Sequence, residues 1–126
     1  MKTNIKYIIL AVLSILIVLL SFLGINRGKD RAKAQAILEN TKAIVSSLDF
    51  FYNDNNRFPT ADEFANKELM QSYFSTYPDF QSWSSKNCAP AYGYTRPSAR
   101  SYKLDFCLPA SAEDYKAGWN EIVNSK

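Results

Sequence analysis

Polar and apolar positions divide this chain into three regimes. From Tyr7 to Ile25 the residues YIILAVLSILIVLLSFLGI run for nineteen positions without a charge. As an α-helix at about 1.5 Å per residue, that run spans roughly 28 Å, and a bilayer's hydrocarbon core is about 30 Å thick. One membrane crossing, assigned to residues 1–26, fits this length. The rival is a cleaved secretory signal, whose apolar region is about 7–15 residues and is soon followed by a small-residue cleavage site. Here the run is longer, Asn26-Arg27-Gly28-Lys29-Asp30-Arg31 comes directly after it, and the nearest small-x-small triplets are Ala32-Lys33-Ala34 and Ala34-Gln35-Ala36. A retained anchor is the preferred reading.

After Ile25 the continuous run becomes periodic. Ala34, Ile37, Leu38, Thr41, Val45, Leu48 and Tyr52 step by three and four, which marks one face of a helix. Glu39, Lys42, Ser46, Asp49 and Asn53 fall opposite, where Glu39 and Lys42 can pair. No proline precedes Pro59, and only Gly24 and Gly28 weaken the pattern, each by about 1 kcal/mol relative to Ala. The pattern predicts one long helix, apolar at first and amphipathic over 27–54. Two helices with a break near Gly24–Gly28 are the alternative.

The third regime is short-range. Asn53-Asp54-Asn55-Asn56 ends the helix, since Asn tolerates the left-handed conformation and Asn and Asp side chains bond to turn backbone. Phe58 can fold back on Phe51 and Tyr52, and Pro59 holds it extended. Thr60-x-x-Glu63 is a capping box, so a second helix is predicted from Ala61, with Phe64, Leu69, Met70, Tyr73 and Phe74 inward, stopping before Pro78. Residues 79–90 read as a loop. Ala91–Arg96 and Tyr102–Cys107 alternate as strands around a turn at Pro97-Ser98-Ala99-Arg100. Ser111 with Asp114, then Tyr115, Trp119, Ile122 and Val123, predict a short last helix. The fold class is α+β, with residues 27–126 as a soluble head.

The net charge of +3 is unevenly distributed. Residues 1–33 carry Lys2, Lys6, Arg27, Lys29, Arg31 and Lys33 against Asp30, a net +5; residues 34–126 carry nine basic and eleven acidic residues, a net −2. The basic character belongs to the flanks of the apolar run and gives no argument that the head binds nucleic acid. Two cations before the run and four after it favour a cytoplasmic head. The two cysteines, Cys88 and Cys107, argue the other way, because an even pair in a small domain suggests a disulfide and an oxidising compartment. Two free buried thiols are the alternative.

Several segments together resemble the type IV pilin family, including the pseudopilins of type II secretion. They are Asp30-Arg31-Ala32-Lys33 past the apolar run, Leu48-Asp49-Phe50-Phe51-Tyr52-Asn53-Asp54-Asn55, Arg57-Phe58-Pro59-Thr60, and the strand Tyr102-Lys103-Leu104-Asp105-Phe106-Cys107. The resemblance covers residues 5–60 well and the rest loosely. It implies a long N-terminal helix packed on a small antiparallel sheet with short extra helices. It also implies assembly with other pilin-like subunits through that helix, at positions such as Ile8, Leu13, Ile17, Leu20 and Leu23. Where the family pattern has a glycine before the apolar run and a glutamate within it, this sequence has neither.

Candidate chemistry is sparse. No histidine is present, which removes His-based acid–base catalysis and the commonest metal ligand. Two cysteines nineteen apart are not a zinc pattern, and no glycine-rich phosphate loop occurs. Asp54, Asp62 and Glu63 near the turn read as caps and a solvated face before a calcium site. No enzyme, metal or cofactor is expected. The hairpin is the one stretch that could hold a ligand: Arg96, Arg100 and Lys103 among Tyr92, Tyr94 and Tyr102 could stack on bases and track phosphates of DNA or another polyanion. A solvated turn with packed tyrosines is the plainer reading.

Two functions remain open. One is a structural subunit of a type IV filament or a related secretion or DNA-uptake machine. The other is a membrane-anchored binding module that does not polymerise. Both place the chain as single-pass in the cytoplasmic membrane with an extracytoplasmic head.

Overall fold

The computed structural model describes residues 2–80 and 88–126. Helix α1 runs unbroken from Lys2 to Asn55, so the apolar run and the periodic stretch are one rod, about 80 Å long at the standard rise. Gly24 and Gly28 lie inside it with open space where a Cβ would stand.

Burial begins at Ala34 and continues through Ile37, Leu38, Thr41, Ile44, Ser47, Leu48 and Phe51. The buried face is rotated slightly from the expected one: Ile44, Ser47 and Phe51 are inside, while Val45 and Tyr52 are half-buried. Steps of three and four allow either set, because an apolar stripe about 100° wide takes in both neighbours; packing against the sheet selects between them. Thr41 and Ser47 satisfy their own hydroxyls, donating to the carbonyls of Ile37 and Ile44 at 2.8 Å each, so their burial leaves no hydroxyl unpaired.

The rod ends in the Asn turn. Asn56 takes a left-handed φ of 54° and its amide donates to the Tyr52 carbonyl at 2.7 Å, a conformation Asn tolerates better than most residues. Phe58 is then fully buried, with its ring 4.8 Å from Tyr52 and 4.7 Å from Tyr102. Its amide donates to the carbonyl of Ala99 in the hairpin turn at 2.8 Å. The capping box at Thr60 forms, and α2 spans Ala61–Ala65. The single helix expected up to Pro78 is interrupted. Asn66 is extended and caps a second short helix, α3 (Lys67–Met70), by accepting from the Leu69 amide at 3.2 Å. A 3₁₀ turn, Gln71–Tyr73, comes next. An Asn that can bond its own downstream backbone competes with helix continuation.

Three antiparallel strands make the sheet: β1 (Tyr92–Ser98), β2 (Ser101–Leu108) and β3 (Gly118–Ser125), with β2 central. The β1–β2 hairpin turns at Ala99 and Arg100, within the expected segment. The last segment corrects the sequence reading. No helix forms after Ser111; β3 pairs with β2 over eight positions, from Ser101 opposite Ser125 to Leu108 opposite Gly118. Glu113 (φ 50°) and Gly118 (φ 96°) both take positive φ, which no helix accommodates. Two apolar clusters join sheet to rod. Ala34, Ile37 and Leu38 meet Phe106, Leu108 and Ala112; Ile44 and Leu48 meet Phe58, Tyr102 and Leu104. Cys88 and Cys107 are disulfide-bonded with Cα atoms 5.5 Å apart, and both are buried. Of the loop expected over 79–90, residues 81–87 lie outside the described residues. The layout is the α+β, pilin-like one: a long helix against a small antiparallel sheet with short extra helices.

Candidate functional site

The hairpin residues are divided between the two sides of the sheet and the turn. Strand alternation sends Tyr92, Tyr94 and Arg96 to the side of the helix and Lys103 to the other. The Tyr92 hydroxyl donates to the Ile37 carbonyl at 3.0 Å, and the Tyr94 hydroxyl to the Pro59 carbonyl at 2.7 Å. The Tyr94 ring stacks on Phe64 at 4.3 Å, and Tyr102 is fully buried. Burial pushes the pKa of all three hydroxyls up. Arg96 donates to the Phe58 carbonyl at 3.2 Å. Lys103 lies 3.3 Å from Asp105 and 3.4 Å from Glu121, and these carboxylates hold its pKa up. Arg100 is exposed in the turn. The six residues therefore do not form one stacking surface: the rings pack inward, and Arg96 and Lys103 are engaged by the protein itself.

Glu63, near the turn, is committed to structure. Arg57 donates to both its oxygens at 2.6 and 2.7 Å, and the Thr60 amide donates at 2.8 Å. These bonds, the guanidinium's foremost, hold the Glu63 carboxyl at about 2. Lys42 pairs with Glu113 at 2.8 Å rather than with Glu39, because the left-handed turn at Glu113 brings that carboxylate back to the rod. Asp49 pairs with Lys126 at 3.1 Å, joining the end of the chain to α1.

The helix positions Ile8, Leu13, Ile17, Leu20 and Leu23 stand free of the head, 55–62% exposed, and point in several directions around the rod. By length and composition this helix suffices to cross a membrane. In the head-bearing half, Ala32, Glu39, Ala43, Ser46 and Phe50 are all exposed, on the side turned from the sheet. Phe50, 60% exposed, belongs to the aromatic run that the sequence places at the helix end without assigning it a side; its offset from Phe51 by about 100° decides the matter.

No family model matches this chain, and no curated protein or solved structure matches it. The functional reading therefore rests on geometry. Several recesses appear among the described residues, and two of them bear on function though sequence reasoning did not find them. One, about 380 Å³, is walled by Phe64, Tyr77, Phe80, Pro90, Tyr92 and Tyr94. The other lies at the foot of the head, between α1 and the segment after β2, lined by Arg27, Asp30, Arg31, Pro109, Ala110 and Ser111. Neither had a signal in the local sequence, since each joins segments distant in the chain.

Proposed function

We propose that this chain is a pilin-like structural subunit, minor or atypical, of a type IV filament or a related secretion or DNA-uptake machine. The observation that carries the reading is the unbroken α1. Its large apolar side chains before residue 26 stand 55–69% exposed, while the same helix is the core of the head from Ala34 onward. Such a surface is stable only in lipid or against other apolar helices. In the bilayer the first half stores the subunit; in a filament it packs on the corresponding halves of its neighbours. Phe50 and the small exposed residues Ala32, Ala43 and Ser46 extend that contact along the outer side of the rod. The Cys88–Cys107 disulfide supports an oxidising, extracytoplasmic location for the head.

The test is electron microscopy of fibres carrying an antibody to the head. The expected result is label along the fibre for the wild type and none for Leu13→Lys or Ile17→Lys, since a lysine has no partner in an apolar helix bundle. Label on fibres from both lysine variants would sink the reading, as would a mature chain beginning near residue 35.

A second reading, a non-polymerising membrane-anchored extracytoplasmic binding module, is favoured by the absence of any acid from Tyr7 to Ile25. In that case the lysine substitutions alter anchoring alone. Arg96→Ala with Arg100→Ala then lowers retention on DNA or another anionic polymer at low salt; unchanged retention removes the hairpin as a binding surface.

A further inference from the structure

We infer that the two helical turns just beyond the apolar run form a docking collar for the headgroups of anionic phospholipids, with a phosphodiester seated in the cleft at the foot of the head. The inference rests on the reading of residues 7–25 as a membrane span.

Arg27, Lys29, Arg31 and Lys33 fall within seven residues, about 9 Å of helix rise. At about 100° per residue they make two flanks: Arg27 and Arg31 stand one turn apart on one side, Lys29 and Lys33 on the other. Arg27, Lys29 and Arg31 are exposed, and none of the three forms an ion pair among the described residues. Depth matches charge. The headgroup layer is roughly 5–8 Å thick on each side of the hydrocarbon. With Ile25 at the edge of the hydrocarbon, residues 26–30 lie inside that layer and Arg31, about 9 Å up the helix, stands at its outer boundary; the head begins above it at Ala34.

The second observation is the cleft. On the arginine flank the head reaches down, and Pro109, Ala110 and Ser111 face Arg27, Asp30 and Arg31 across an open recess of about 480 Å³. Two guanidiniums one turn apart offer planar, bidentate donors to phosphate oxygens. The Ser111 hydroxyl accepts from the Ala117 amide at 3.3 Å and keeps its own hydrogen to donate. Asp30 brings the charge of the three ionisable groups to +1, matched to a single phosphodiester. The apolar stretch ending at Phe22, Leu23 and Ile25 lies directly below, where the acyl chains of the same lipid would run. The collar also accounts for a sequence oddity. Four cations just past a span oppose export of the head; anionic headgroups on the far side offset that cost once the head is across.

The experiment uses the full chain reconstituted into phosphatidylcholine vesicles with and without phosphatidylglycerol. Flotation after alkaline carbonate comes first: a chain left at the bottom defeats the span reading, and this inference with it. For a chain that floats, spin-labelled phosphatidylglycerol and phosphatidylcholine report which lipid is held at the protein surface. The expected result is a preference for phosphatidylglycerol that weakens at high salt and falls by up to roughly fivefold per arginine in Arg27→Gln/Arg31→Gln, with a smaller loss in Lys29→Gln/Lys33→Gln. Equal affinity of the wild type for both lipids overturns the collar while leaving the span intact. Equal losses from the arginine and lysine pairs, or no loss from the arginine pair, overturn the cleft as the headgroup seat.

Discussion

Tyr102 stands near the start of β2 with its ring edge-on to Phe58 and near-parallel to Tyr94, and its buried hydroxyl oxygen has the Asn124 side chain on the neighbouring strand as a weak partner but no hydrogen bond of good geometry among the described residues. A buried polar atom left unpaired costs free energy, whereas the ring contributes through burial. Tyr102→Phe is therefore expected to unfold at an equal or higher urea concentration, with a gain of up to about 1 kcal/mol. Tyr102→Ala should lose about 3–5 kcal/mol, as large aromatic truncations in cores do. Urea titration of the detergent-solubilised chain distinguishes the two. At Glu63 the relevant variable is pH. Its folded carboxyl titrates at about 2 against an ordinary 4.5, so the folded state binds the proton less readily than the unfolded one. Its contribution is complete above pH 4.5 and is lost as pH falls toward 2. Melting midpoints of the wild type should fall across that window, and those of Glu63→Gln should fall less there; parallel curves would show that the Arg57 pair is not the linked group.

Among the elements, the sheet depends most on a covalent tie. The bridge links residues nineteen apart, and closing a loop of that size is worth roughly 3 kcal/mol in the chain-entropy model. Replacing both cysteines with serine should lower the melting temperature of this small head by on the order of 10–20 °C, measured by circular dichroism on the β-sheet signal; a shift of a degree or two would mean that packing alone holds the strands. The elements differ in how openly the sequence declares them. The rod was legible because its two apolar patterns are long and continuous, and the hairpin because Tyr92, Tyr94, Tyr102, Leu104 and Phe106 alternate cleanly. β3 was not. Its inward positions include Asn120 and Asn124, while Trp119 and Val123 face outward at 53% and 66% exposure. That inverts the usual alternation, and Tyr115, Trp119, Ile122 and Val123 happen to fit a helix. Pairing with β2 decided the matter, and no local pattern records such a partner. The candidate site was less legible still: the hairpin's residue types suggested a surface, but which side each faces depends on where the rod lies.

For the molecule as a whole, the balance is between a head with its own two apolar clusters and a rod half of which the head never touches. A charge introduced into that half should leave the head folded and alter only where the chain resides. Leu16→Lys, at the middle of the 7–25 run, adds about 2.5–3.5 kcal/mol to insertion. The expected outcome is a larger fraction released by alkaline carbonate with an unchanged disulfide and an unchanged β-sheet spectrum. Loss of the β-sheet signal in that variant would mean that the head needs the apolar half to fold.

The absence of a hinge in α1 has a mechanical consequence. The midpoint of the head-bearing segment, near Val45, lies about 30 Å beyond Ile25 along a continuous helix axis. A span tilted by about 20°, common for single helices, swings that point sideways by roughly 10 Å. The helix acts as a lever arm, and small changes of angle within the bilayer become large displacements of whatever the head carries.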